Sequence, residues 1–163
     1  MSIEQQIDLC VRITVAALLS GIVGFNRERR DHPAGLRTHI LVGIGAALFT
    51  AVGMTAFTPN DSRVAAQIVT GIGFLGAGSI VRGKIGGVHG ITTAAGIWAT
   101  AAIGMTAGAA QYVLAIYATV LTFAVLSALS RLDKMMIHKK IDHMDAAEGG
   151  VNDDKVAGQA ENS

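Results

Sequence analysis

The sequence predicts an all-α fold: a polytopic membrane protein built as a bundle of five transmembrane helices, with the N-terminus outside and the C-terminus in the cytoplasm. Hydrophobic residues make up 51% of the 163 residues, and charged residues make up 15%. Five apolar runs follow one another, each close to the roughly 20 residues that cross about 30 Å of hydrocarbon. The runs are residues 7–25, 38–57, 64–81, 91–110 and 112–129.

The basic residues predict the orientation. Ten of the thirteen Lys and Arg residues lie at ends of these runs that the topology places on one face of the membrane. They are Arg27, Arg29, Arg30, Arg37, Arg82, Lys84, Arg131, Lys134, Lys139 and Lys140. Short loops rich in Lys and Arg stay in the cytoplasm, and the connection after the second run carries only Arg63. The chain opens with Glu4 and Asp8 and has no basic segment there, so the first run is predicted to be a retained span and not a cleaved signal peptide.

Composition excludes several classes of function. The net charge is +1, and the charged residues are distributed by side of the membrane, so they form no single basic patch for nucleic acid. Cys10 is the single cysteine, so one chain holds neither a disulfide nor a cysteine-based metal site. No Asp or Glu occurs between Asp61 and Asp133, which removes a paired-carboxylate hydrolase from the centre of the chain. We therefore expect no enzyme, no cofactor and no metal site.

The chain divides into three predicted segments. Residues 1–130 form the transmembrane domain, residues 131–141 form a basic juxtamembrane segment that surfaces among anionic headgroups, and residues 142–163 form a disordered acidic tail. Four glycines between Arg82 and Thr92 predict an irregular cytoplasmic loop. Ser62 or Asp61 is predicted to cap the third helix, and Thr92 and Thr93 are predicted caps of the fourth.

Small residues recur along the fourth run at every fourth position. They are Thr92, Gly96, Thr100, Gly104 and Gly108. In lipid, such a stripe lets two helix backbones approach closely, and this close packing takes the place of the hydrophobic drive. Packing within one protomer is the favoured interpretation, and a contact in a homo-oligomer is the alternative.

The third run carries a second set of glycines. Residues 71–76 read GIGFLG, which matches the dinucleotide-binding fingerprint, but no acidic residue follows about 20 positions later to hold a ribose. We reject that interpretation. Close packing at Gly71, Gly73, Gly76 and Gly78 is favoured, and a locally unwound helix that exposes carbonyls to a solute is the alternative.

Polar residues inside the runs are costly and are therefore candidate functional residues. Asp8 and Arg12 are spaced i, i+4 with the acid first, so they are expected to form an interfacial ion pair. The alternative makes both residues part of an outer site for a solute or partner. The amide of Gln67 is expected to bond a neighbouring helix, and a role in function is the alternative.

The densest chemistry is predicted on the cytoplasmic side. It consists of Arg27, Glu28, Arg29, Arg30, Arg37, Arg82 and Lys84, with Thr92 and Thr93 at a helix start. One interpretation is that these cations fix the topology and bind lipid phosphates. The other is a defined anionic site or a docking face for another membrane protein, with Glu28 orienting an arginine. No nucleophile with a positioned base accompanies them, which argues against an enzyme.

Three blocks of this sequence resemble the signature blocks of MgtC/SapB membrane proteins. They are GFNRERRDHPAGLRTHILVGIGAALF, AAQIVTGIGFLGAGSIVR and GITTAAGIWATAAIGMTAGAA, and the resemblance covers nearly all of residues 9–130. It implies a multi-pass protein of the bacterial inner membrane with five helices, related through a virulence-associated branch to growth at low magnesium. The family-type residues are Glu28, Arg29, Gly35, Leu36, Arg37, Thr38, Gln67, Gly71, Gly73, Phe74, Gly76, Gly78, Thr93 and Trp98.

The chain departs from that branch at three points. Thr92 stands where the branch commonly has Asn, and Ala99 stands where it commonly has Cys. We also expect the long C-terminal cytosolic domain of that branch to be missing here. We expect a non-enzymatic regulator that binds another membrane protein, or lipid, through its small-residue faces and basic loops. The alternative is a small transporter or channel for magnesium or another ion. Magnesium favours several oxygen ligands, and Asp8 is the only carboxylate within the runs.

Overall fold

The computed structural model of the protein describes residues 1–56, 62–82 and 87–128. Five helices and one short antiparallel hairpin lie in this part of the chain. They are α1 (Ile3–Glu28), α2 (Leu36–Ala56), α3 (Ser62–Gly78), β1 (Val81–Arg82), β2 (Val88–His89), α4 (Ile91–Gly108) and α5 (Tyr112–Ala128). Residues Met1–Val125 belong to one compact unit, and the last residues of α5 belong to a second. The all-α class is confirmed.

The first helix begins with a capping box. The Ser2 hydroxyl accepts a hydrogen bond from the Gln5 amide at 3.2 Å, and the Gln5 side chain accepts one from the Ser2 amide at 2.9 Å. These two bonds satisfy amides that the helix cannot satisfy itself. The helix therefore starts at Ile3, ahead of the apolar run at residue 7.

The core consists mainly of small side chains. α4 packs against α1, α2 and α3, and α1 also packs against α2. One buried cluster joins Ala16 of α1, Ala47 of α2, Ala107 of α4 and Ala115 of α5. Alanine contacts of this kind bring helix backbones close together, which is how helices associate in lipid.

Large apolar side chains cover the outside of the helices. Val113 is 84% exposed and Phe74 is 81% exposed, and Leu18 and Leu41 are exposed as well. A water-soluble protein rarely exposes apolar surface on this scale, whereas a helix bundle in lipid requires it. By length and composition alone, α1 and α2 are long and apolar enough to cross a membrane.

The five predicted crossings and their orientation stay predictions. α3 and α5 have 17 residues each in the described part of the chain. α4 has 18 residues. The basic segment, the acidic tail and Lys84 lie outside the described residues, as does the turn after α2.

The predicted cap of α4 is wrong, and that of α3 stays a prediction. Ser62 is the first residue of α3, and the alternative cap, Asp61, lies outside the described residues. The N-cap of α4 is Gly90, with φ of 93° and no side-chain bond. A Cβ at Gly90 would overlap the carbonyl of Ser79, so the tight turn out of β2 requires glycine. The helix therefore starts before the threonines.

The predicted irregular loop before α4 contains the hairpin. Val81 pairs with His89 and Arg82 pairs with Val88. Strands of two residues are too short to produce an alternating apolar pattern, which is why the sequence did not reveal them. The hairpin leads into α4 and brings the Gly90 cap against the Ser79 carbonyl, directly after the end of α3.

Candidate functional site

Three buried polar residues from three helices meet at one end of the bundle; we call Arg27, His39 and Thr93 the buried polar cluster. Arg27 is 2% exposed, and one of its terminal nitrogens donates a hydrogen bond to the Thr93 hydroxyl at 3.1 Å. Its Nε has no hydrogen-bond partner among the described residues. The contact joins α1 to the first turn of α4, 66 positions along the chain.

His39 occupies the centre of this end of the bundle. It is fully buried, and its Nδ1 lies 2.9 Å from the Gly35 carbonyl, while its Nε2 has no partner within the described ranges. A Cβ at Gly24 of α1 would lie 2.8 Å from the His39 Cβ, and one at Gly96 of α4 would lie 3.6 Å from Nε2. Gly24 therefore lets α1 approach α2 closely at His39, and Gly96 of α4 lies beside the imidazole.

Glu28 caps the second helix. Its carboxylate accepts a hydrogen bond from the Leu36 amide at 2.7 Å, at the N-terminus of α2, where negative charge is favourable. A Cβ at Gly35 would overlap this carboxylate. The cap therefore depends on glycine at position 35, which leaves space for the Glu28 carboxylate beside the Leu36 amide. Among the described residues, the structure records no ion pair between Glu28 and an arginine.

The remaining basic residues of the predicted cytoplasmic cluster are more accessible. The guanidinium of Arg29 lies 4.8 Å from the centre of the Phe25 ring, and Arg37 and Arg82 are exposed. Arg30 donates to the Asn26 side chain at 3.2 Å. Arg27 therefore differs from the other arginines of this cluster in being buried. This burial was not predicted from the sequence.

His32 lies in the connection between α1 and α2. Partial burial lowers the pKa of His32 below its ordinary value of 6.5, and the positive charges of Arg27 and Arg30 lower it further. Asp31 acts in the opposite direction with a smaller effect. The pKa of His32 is therefore sensitive to the positive charge of Arg27 in the buried polar cluster.

At the other end of α1, Asp8 and Arg12 form the ion pair that their spacing predicts, at 2.5 Å. Arg12 also donates a hydrogen bond to the Gly108 carbonyl at 3.1 Å. That carbonyl is at the last residue of α4, where the helix dipole favours a cation. Arg12 therefore ties α1 to the end of α4 and has a structural role besides pairing with Asp8.

The small-residue stripe of α4 packs against α2 within the same chain. A Cβ at Gly104 would lie 2.5 Å from the Gly43 carbonyl oxygen, and one at Gly108 would lie 2.5 Å from the Ala47 carbonyl oxygen. Thr100 is fully buried and donates its hydroxyl to the Gly96 carbonyl at 2.9 Å. Thr92 is exposed and does not continue the packed face.

The glycines of α3 have different surroundings. A Cβ at Gly76 would contact Ala94 of α4 at 3.6 Å, but one at Gly71, Gly73 or Gly78 would have no described atom within 4 Å. Gly71 lines a cavity of about 710 Å³ between α2 and α3, which we call the α2–α3 groove. Its walls are almost wholly apolar and include Leu41, Gly45, Phe49, Gln67, Gly71 and Ile72.

A smaller cavity of about 370 Å³ lies beside the buried polar cluster; we call it the Thr93 groove. Its apolar wall includes Phe74, Leu75 and Ile97, and its hydroxyl groups belong to Thr38, Ser79 and Thr93. Neither groove was predicted from the sequence. For the α2–α3 groove, the sequence did contain one indication: Gln67 and Gly71 are spaced i, i+4. This spacing places an amide side chain and a residue without a side chain on the same helix face.

Comparisons with known proteins agree on one family. The sequence model of the MgtC family matches residues 13–135. The protein named "Putative magnesium transporter YhiD" of Escherichia coli is 43% identical over an alignment of 142 residues, and the match covers 81% of this chain and 65% of that protein. No solved structure matches.

Two further relatives carry the name Protein MgtC. The Salmonella typhimurium protein is 44% identical over 111 residues, or 68% of this chain and 48% of that protein. The Brucella abortus protein is 44% identical over 122 residues, or 74% of this chain and 51% of that protein. The chain therefore spans between about half and two thirds of the length of these relatives.

Proposed function

Because the chain belongs to the MgtC family of membrane proteins, we propose that it is a non-enzymatic regulator that binds a transmembrane helix of another membrane protein in the α2–α3 groove. The location that fits this role is the bacterial inner membrane, with five crossings and a cytoplasmic C-terminus. The name of the Escherichia coli relative, a putative magnesium transporter, supports magnesium homeostasis as the regulated process.

The observation that carries the proposal is the shape and lining of the α2–α3 groove. Gly45 of α2 and Gly71 of α3 both line it, and a Cβ at either position would contact no described atom. In lipid, helix partners meet at small residues because these let two backbones approach within van der Waals contact. The small residues of α4 are already covered by α2, whereas those of this groove are open.

Gln67 adds a polar contact to this apolar surface. Its side chain is exposed and lines the groove beside Gly71. An amide in hydrocarbon is costly unless a partner satisfies its hydrogen bonds, and a polar group on an incoming helix would do so. The groove therefore supplies both features of a helix-binding surface, namely small residues for close approach and one amide for specificity.

A photo-crosslinking experiment in native membranes tests this proposal. A photoreactive residue at position 67 is expected to give one discrete crosslinked species with another membrane protein, and the same residue at Phe74, outside the groove, is not. Gly71→Leu fills the groove and should abolish the crosslink. Gly73→Leu is the matched control, because Gly73 is equally open but does not line the groove. Equal crosslinks in both leucine variants would refute the proposal.

The second candidate function is magnesium transport, which the name of the Escherichia coli relative favours. Two carboxylates that a divalent cation would need have other roles here: Asp8 pairs with Arg12, and Glu28 caps α2. Within the described residues, no group of three His, Cys, Asp or Glu side chains comes together. Magnesium flux into liposomes that contain only the purified protein would overturn the regulator proposal in favour of transport.

A further inference from the structure

We propose that the Thr93 groove binds a phosphate group, held by the buried guanidinium of Arg27, the hydroxyl of Thr93 and the amides at the start of α4. The polar groups of this site are separate from those of the α2–α3 groove. The proposal therefore does not rest on the regulatory function, and the two can fail independently.

The first argument is the buried charge of Arg27. The side chain is 2% exposed, and the single ion pair recorded in the described part of the chain joins Arg12 and Asp8 instead. The charged group that acts on Arg27 most directly is Arg30, which is also a cation. A buried guanidinium that has no counter-charge is unfavourable, and an anion beside it removes that cost.

The second argument is that hydrogen-bond donors remain available next to this charge. The Nε of Arg27 has no partner in the described ranges. The Thr93 oxygen accepts the Arg27 hydrogen bond, so its own hydroxyl hydrogen can be donated elsewhere. Arg27 lies behind Thr93 and is not itself among the residues that line the groove, so a phosphate group bound there would meet the Thr93 hydroxyl beside the guanidinium charge.

The third argument is the N-terminus of α4, to which Thr93 belongs. The helix has 18 residues, and its N-cap, Gly90, supplies no side-chain hydrogen bond. The first intrahelical bond at this end runs from the Ala94 amide to the Gly90 carbonyl, so the amides of Ile91, Thr92 and Thr93 come before the regular pattern. Such amides and the positive end of the helix dipole attract anions.

The groove also indicates where the phosphate group comes from. Phe74 and Leu75 line it and are exposed to the surroundings of the bundle at 81% and 53%, while Thr93 lies at its buried end. A ligand with a phosphate headgroup and a hydrocarbon tail fits this order of polar and apolar groups. The shape therefore favours a lipid phosphate, and free inorganic phosphate shares the same chemistry at the headgroup position.

The test uses the purified full-length chain in detergent and three probes. Phosphatidylglycerol supplies a lipid phosphate, diacylglycerol supplies the same tails without phosphate, and inorganic phosphate supplies the ion without tails. Bound lipid is counted by native mass spectrometry, and the midpoint of thermal unfolding is followed with each probe. We expect phosphatidylglycerol to bind and raise the midpoint, and diacylglycerol to do neither.

The variants separate the site from general charge. Arg27→Gln should weaken binding by about tenfold or more, since hydrogen bonds to charged groups are lost. Arg29→Gln removes the same charge from an exposed neighbour and should leave binding unchanged. Thr93→Val keeps the side-chain shape but removes the hydroxyl, and provides the same test if Arg27→Gln fails to fold.

Binding of phosphatidylglycerol alone supports a lipid source, and binding of inorganic phosphate as well supports a site that accepts the free ion. Equal binding of diacylglycerol would overturn the proposal, because the groove would then recognise only hydrocarbon. An equal loss in Arg29→Gln and Arg27→Gln would overturn it too, as would the absence of binding by both phosphate probes.

Discussion

Gly104 of α4 lies directly against the backbone of Gly43 in α2. A Cβ at Gly104 would be 2.5 Å from the Gly43 carbonyl oxygen, closer than real Cβ atoms approach, and 3.0 Å from the Gly43 Cα. The two helices therefore meet without any side chain between them at this point. The seam continues one turn further, where Gly108 meets Ala47 in the same way.

We expect Gly104→Leu to separate α4 from α2 and to lower the free energy of unfolding by at least the roughly 1–3 kcal/mol typical of overpacking. Ile103→Leu is the control, because Ile103 is 1% exposed but the exchange keeps its volume. Thermal unfolding in detergent measures both variants. A Gly104→Leu protein as stable as the original would contradict the packing of this seam.

Gly35→Ala should destabilise the N-terminus of α2. The added Cβ would overlap the Glu28 carboxylate and break its hydrogen bond to the Leu36 amide. Loss of a cap costs about 1 kcal/mol. Gly45→Ala is the matched control: its Cβ would meet no described atom, and alanine is the better helix former, so stability should hold or rise. Equal losses in both variants would refute the capping role of Glu28.

Arg12→Gln should lower stability more than Asp8→Asn does. Arg12 bonds the Gly108 carbonyl as well as Asp8, and it is only 18% exposed, whereas Asp8 is 50% exposed. We expect a loss of about 1–3 kcal/mol for Arg12→Gln and of less than about 1 kcal/mol for Asp8→Asn. Denaturation of the two variants under one condition decides the order, and the reverse order would contradict the structural role of Arg12.

His32 should make stability depend on pH. Because burial and the charges of Arg27 and Arg30 lower its folded pKa below 6.5, the unfolded chain takes up a proton first as the pH falls. The contribution of His32 to the free energy of unfolding is fully present above about pH 6.5. It declines as the pH falls toward the folded pKa and then levels off. Between pH 7.5 and about 5, the free energy of unfolding of the original protein should therefore fall further than that of His32→Gln. Parallel curves would exclude the effect.

The orientation prediction is tested with reporter fusions. A reporter placed after Lys140 should report the cytoplasm, and one inserted at Asn60 should report the outside, because the basic residues are sorted to one face. The opposite result at either position would mean that the number of crossings is wrong. In that case we expect the third run to be the segment that does not cross, since α3 has 17 residues in the described part of the chain and contains Gln67.

The apolar runs predict the helices because long apolar segments have few other structures available in lipid. They cannot predict the hairpin, whose strands have two residues each, or the start of α4, which depends on the distant Ser79 carbonyl. The Asp8–Arg12 pair followed from local spacing alone. The burial of Arg27 did not, because Thr93 lies 66 positions away.

Glycine composition alone could not distinguish the two small-residue helices. Gly104 and Gly71 both lie in glycine-rich segments, yet Gly104 contacts a backbone and Gly71 faces the open α2–α3 groove. The difference depends on which helices are neighbours, and no residue type encodes that directly. The functional interpretation changes with it, because the open glycines and not the packed ones are available to a partner.

The alanine cluster that joins α1, α2, α4 and α5 has few internal degrees of freedom. Alanine and glycine lose almost no rotamer entropy when they are buried, so these helices associate at little entropic cost. They also have no side-chain rearrangement with which to absorb a displacement. A movement imposed on α2 from the α2–α3 groove is therefore expected to pass to α4 as a rigid-body shift, at the seam between Gly43 and Gly104.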